Sequence, residues 1–247
     1  MISQFFDGSN YYFNPYSIPL FFTGLCIIFF GLYIFIQGKS IVNKAFLFLA
    51  ISASIWQVGT GLFYLIKDIA LSISFYKVFP FFGVVTIAPG IYMFTMASLS
   101  LFTDKKKYII LNYFIALTFY ILGLTTDWFI VGVTKHYWGH EVSFGPLANP
   151  FLIFFSLLII RSLQMLYKQL RLLSPGIKRD QTKLLFISIL IAVLGAVDFL
   201  SSFPATENIY PIGYVPVLIF ISIQTYAIVK YQQASLNQIF GAIKDGI

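Results

Sequence analysis

Two ionisable residues lie where water does not reach: Arg161 inside one long apolar run and Asp198 inside the next. A charge at mid-membrane costs at least about 2.5–3.5 kcal/mol on insertion scales, so each needs a partner or a task. At about 1.5 Å per residue, Arg161 is about 16 Å below Pro150, at the outer end of its run, and Asp198 about 8 Å from Phe203. An Arg side chain reaches across much of that difference. Three chemistries are open to such a pair. The charges can neutralise each other and fix helix packing. Either can face a ligand in a pocket open to the outside. Both can serve an ion pathway, although one acid and one base without a relay is thin support for a pump. A second cluster, His136, His140 and Glu141, invites a metal reading. Histidines at i and i+4 share a metal only on a helix, and Gly139 with its β-branched flanks argues against one. No metal and no cofactor is expected. The segment reads instead as a structural lid carrying Tyr137, Trp138 and His140, with Tyr137 and Trp138 at the membrane interface.

The elements that must hold these residues are membrane helices. Of 247 residues 59% are hydrophobic and only 10% charged, with mean hydropathy +0.85. A soluble chain would be about 25% charged. Seven apolar runs, 18–37, 45–66, 78–102, 108–126, 150–171, 183–203 and 210–231, are each near the roughly 20 residues needed to span. None alternates with period two, so they predict helices rather than barrel strands. Pro89-Gly90 in the third run predicts a kink or a pocket-shaping break, and Pro216 lies early in the seventh. The long connection 127–149 predicts a β-hairpin over the helix ends. The fold class expected is therefore all-α: an integral bundle of seven transmembrane helices with one long outer loop.

Charge sets the orientation. Twelve Lys and Arg fall in alternate connections, among them Lys105, Lys106, Lys107, Lys168, Arg171, Lys178, Arg179 and Lys183, against only Lys67, Lys77 and Lys135 opposite. The positive-inside bias places the N-terminus outside and the C-terminus in the cytoplasm. The same bias accounts for the net charge of +7, so no nucleic-acid partner is expected; the partner is the lipid bilayer. Cys26 is single, which precludes an intrachain disulfide. No cleavable signal peptide is expected at the N-terminus.

Catalytic signatures are missing: there is no glycine-rich phosphate loop, no nucleophile elbow and no Cys/His framework. Nor does any helix face offer the acidic pair of an intramembrane protease. A retinal protein would need a Lys midway along the last helix, whereas Lys230 is at its cytoplasmic end.

Several segments carry a resemblance. They are Trp56-Gln57, Phe79-Pro80 through Pro89, HYWGHEVSFGPLANPF (136–151), the basic turn before Gln181, LGAVDFL (194–200) and PIGY (211–214). Over residues 13–231 the chain resembles the seven-helix sensor region at the N-terminus of many bacterial histidine kinases and diguanylate cyclases. The resemblance implies a multi-pass sensor of the bacterial inner membrane that passes a signal, a small ligand or membrane stress, to a cytoplasmic output domain. Trp56 and Gln57 then join Arg161 and Asp198 as the candidate ligand-binding or buried-pair residues, with Gln57 about 13 Å below the outer end of its run. A small seven-helix transporter is the alternative, but no internal repeat supports it.

The sequence divides into an outer segment 1–17, a membrane sensor 18–231 and a signalling helix 232–247, whose end reads as a cut-short entry into an output domain. The chain is expected to be a fragment or to work with a separate partner. Leu236, Ile239, Phe240 and Ile243 form an amphipathic stripe. Gln232, Gln233, Asn237 and Gln238 lack the cations of a surface-bound helix, so the stripe predicts pairing with a second copy as a homodimer.

Overall fold

The computed structural model describes residues 2–196 and 210–245, with residues 232–245 as helical backbone. Within it lie eight α-helices and one hairpin: α1 (Ile18–Gln37), α2 (Ile41–Phe63), α3 (Ile69–Val78), α4 (Pro80–Ser98), α5 (Phe102–Thr125), β1 (Ile130–His136), β2 (Gly139–Phe144), α6 (Ala148–Leu172), α7 (Ile177–Val193) and α8 (Tyr214–Asp245). Among the described residues six helical spans are long and apolar enough to cross a membrane, α3 and α4 counting as one. Their side chains are arranged as lipid requires. Phe22, Phe114, Ile153 and Leu157 point outward and are exposed, while Ser52, Gln57, Thr95, Ser162 and Ser188 are buried.

Local chemistry sets the helix ends. Ser40 Oγ accepts the Asn43 N–H at 3.2 Å and starts α2 earlier than the apolar run suggests. The Asn43 side chain in turn donates to Ile34 O and Gly38 O at 2.9 and 2.8 Å, closing the end of α1. Lys105, Lys106 and Lys107 were expected in a loop, yet α5 already begins at Phe102. The reason is a tight turn: Ser100 takes the left-handed conformation (φ 59°), and Leu101 N–H bonds Met96 O at 2.8 Å. The chain therefore re-enters a helix at once.

The third span differs too. It starts at Ile69, capped by Asp68 Oδ1 on the Leu71 N–H at 2.7 Å, and breaks at Phe79 rather than at Pro89. Pro80 occupies the first turn of α4, where its missing N–H costs nothing, and Tyr120 Oη donates to Val78 O at 2.8 Å. α4 runs on through Pro89-Gly90. α2 and α4 approach to backbone contact at Gly83, where a β-carbon would meet Trp56 N at 2.5 Å and Ser52 O at 2.6 Å.

The predicted hairpin is present. β1 and β2 pair antiparallel with His136 opposite Gly139, leaving Tyr137-Trp138 as a two-residue turn. Gly139 has φ +139°, a conformation side chains rarely adopt, and a β-carbon there would meet Tyr64 Cγ at 2.8 Å. The hairpin closes over the helix ends through Phe129, whose ring lies 4.3 Å from Phe81 and 5.3 Å from Phe151.

Candidate functional site

α2, α4, α6, α7 and α8 enclose a cavity of about 380 Å³. Leu49, Trp56, Ile91, Ile159, Val217 and Phe220 contribute to its wall. Among the described residues no charged side chain lines it, and Ser156 and Trp56 bring the only polar side-chain groups. On α6 the wall runs from Leu152 to Leu163, about 16 Å along the axis.

The two neighbours Trp56 and Gln57 part company here. Trp56 lines the cavity. Gln57, about 100° further round the helix, is buried against α1, 3.4 Å from where a β-carbon on Gly24 would lie. Its Oε1 accepts no hydrogen bond among the described residues. Arg161 is exposed on α6. By helical rotation it lies about 160–180° from Leu152, Ile159 and Leu163, so it faces away from the cavity, within electrostatic reach of Tyr92. Asp198 lies outside the described residues, and with it the expected Arg161–Asp198 contact.

In the hairpin, facing residues share a side: Lys135 pairs His140, and Thr134 pairs Glu141. The two imidazoles therefore project from opposite faces. His136 Nε2 meets Glu141 Oε2 at 3.1 Å on one, while His140 Nδ1 meets Ser72 Oγ at 2.9 Å on the other. Tyr137 is exposed, but Trp138, expected beside it at an interface, is 0% exposed. Its ring stacks on His136 at 4.4 Å, and its carbonyl accepts from Asn14 Nδ2 at 2.8 Å. Asn14 also donates to Tyr64 O at 3.1 Å, tying the N-terminal segment, the end of α2 and the hairpin turn together.

His140 is 1% exposed. Burial pushes its imidazole below the ordinary 6.5, and Lys135 adds to this, while the Phe63 backbone and Asp68 pull the other way. The folded hairpin thus favours neutral His140. That contribution to docking is complete above about pH 6.5 and declines as pH falls below it, because the undocked state takes up the proton first. Hydrogen exchange of the β1–β2 amides, corrected for intrinsic rate, is expected to be flat from pH 8 to about 6.5 and to accelerate below. His140→Gln is expected to remove the acceleration. If the variant keeps it, the titrating group is not His140.

The half of the bundle away from the hairpin holds a polar joint. Gln224 Nε2 of α8 donates to Ser188 Oγ of α7, which itself donates to Leu185 O at 2.9 Å. Beside it is a void of about 10 Å³ lined by Ser98, Gln181, Thr182 and Gln224, enough for about one water. Sequence reading missed this joint, although Ser188 and Gln224 stand out as polar residues inside apolar runs. α8 then continues unbroken to Asp245.

A family model described as the N-terminal 7TM region of histidine kinase matches residues 19–236, most of the chain. No curated protein matches.

Proposed function

We propose a function from one premise: the chain belongs to the family of the N-terminal 7TM region of histidine kinase. As such it is a multi-pass membrane sensor module. In this reading the apolar run that begins at Lys183, the sixth of the seven, brings the spans to seven, the N-terminus and the hairpin are outside, and the C-terminus is cytoplasmic. A ligand occupies the cavity between α2, α4, α6, α7 and α8, and its presence is passed to a cytoplasmic kinase or cyclase output domain. One observation carries the reading. Val217 and Phe220, in the first turns of α8, line the cavity, and the same helix runs 32 residues to Asp245, about 48 Å. A rigid rod thus joins the proposed sensing site to the proposed cytoplasmic face, with the Gln224–Ser188 bond as its joint to α7. The residues 232–247 pair with a second copy and carry the movement onward.

Orientation is tested by labelling single cysteines in intact cells with an impermeant maleimide. A cysteine at Tyr137, exposed at the hairpin tip, is expected to react, and cysteines at Lys106 and Arg179 only after the membrane is opened. The opposite sidedness would overturn the reading.

A further inference from the structure

We propose that the cavity takes an uncharged, chain-like lipophile that enters from the membrane between α6 and α7; this rests on the reading of the cavity as the sensing site. An elongated space of about 380 Å³ falls within the roughly 300–1,000 Å³ of ligand pockets. Among the described residues the lining has no charged side chain and one hydroxyl, at Ser156, so it offers nothing to an ionised group, which would be buried unpaired. A hydrocarbon body with a single neutral hydrogen-bonding group matches both the apolar wall and the Ser156 hydroxyl.

The cavity also opens towards lipid. Ile160 of α6 and Leu190 and Val193 of α7 line the cavity and are also 50%, 44% and 42% exposed. Ile160 lies twelve residues into α6, about 18 Å from its outer end. At that depth in a bilayer of about 30 Å hydrocarbon thickness, exposure means contact with lipid, not water. A ligand arriving here has already partitioned into the membrane. A phospholipid acyl chain and a free lipophile share this chemistry. We assign the free lipophile, because among the described residues Val84, Leu152 and Val217, where the wall reaches the first turns of their helices, bring no polar side chain to hold a headgroup.

The test uses the full chain in nanodiscs and 12-bromododecan-1-ol as probe, since bromine quenches indole emission at contact. Trp56 lines the cavity, whereas Trp138 is buried in the hairpin and Trp128 is exposed. Saturable quenching is expected, reversed by unbrominated dodecan-1-ol but not by ionised dodecyl phosphate. Trp56→Phe should remove the saturable part, and Ala53→Phe, which fills the cavity, should weaken the probe by about tenfold or more. Quenching that rises without saturation, or that is identical in both variants, would overturn the proposal. So would equal competition by dodecyl phosphate. Discs of acyl-brominated phospholipid provide the other arm. If they quench Trp56 and dodecan-1-ol does not relieve it, the occupant is bilayer lipid and the assignment to a free lipophile fails. Because the readout is occupancy alone, binding without any response of α8 would sink the sensor reading and leave the ligand class standing.

Discussion

Gly83→Val is expected to abolish the folded bundle. A β-carbon at Gly83 would lie 2.5 Å from Trp56 N, 2.6 Å from Ser52 O and 2.9 Å from Trp56 Cα, all backbone atoms of α2. No rotamer change relieves such contacts; α2 and α4 must separate. Those helices carry Trp56 and Ile91 on the cavity wall, so the separation would also open the site. Ordinary overpacking against side chains costs about 1–3 kcal/mol, and a clash with backbone on this scale should exceed that range. Gly132→Ala is the control, since nothing lies within 4 Å of its β-carbon position. Size-exclusion profiles of the two variants in detergent check the prediction. A monodisperse Gly83→Val protein with wild-type thermal stability would show that the α2–α4 contact is not as described.

The second large effect belongs to the end of α8. Backbone helix persists through residues 232–245, which is what a pairing stripe at Leu236, Ile239, Phe240 and Ile243 requires, since these positions share a face only on a helix. Single cysteines at Leu236 or Ile243 are expected to crosslink between copies in native membranes far faster than cysteines at Gln233 or Asn237. Equal rates at all four positions would remove the paired helix from the account.

Much of the architecture was legible in the sequence because lipid imposes simple rules. Length and continuous apolarity locate the spans, and 18–37 coincides with α1 to the residue. β-branched and aromatic flanks either side of Trp138-Gly139-His140 locate the hairpin, whose turn falls one residue earlier, at Tyr137-Trp138. Local caps were less legible: Ser40, Asp68 and the left-handed Ser100 shift helix starts in ways hydropathy does not register. The candidate site was hardest, because it depends on rotation and on partners distant in sequence. Trp56 and Gln57 are adjacent in the chain, yet one meets the cavity and the other meets α1. The depth of Arg161 could be estimated from its position in the run, but not that it turns away from the cavity. The Gln224–Ser188 joint spans two helices, so neither run announces it alone. Trp138 reads as an interface aromatic until Asn14, more than a hundred residues earlier, is seen to hold its carbonyl.

The central claim is that occupancy of the cavity reaches the C-terminal end of α8. It is tested most directly by the crosslinking rate of Leu236→Cys in native membranes, with and without Val217→Phe, which fills the cavity from α8 itself. The account predicts that filling changes the rate by about fivefold or more, the low end of typical coupling between sites, while the slow Gln233→Cys control stays slow. An unchanged Leu236→Cys rate, in a Val217→Phe protein that is folded and no longer quenched by the bromo-alcohol, would contradict it.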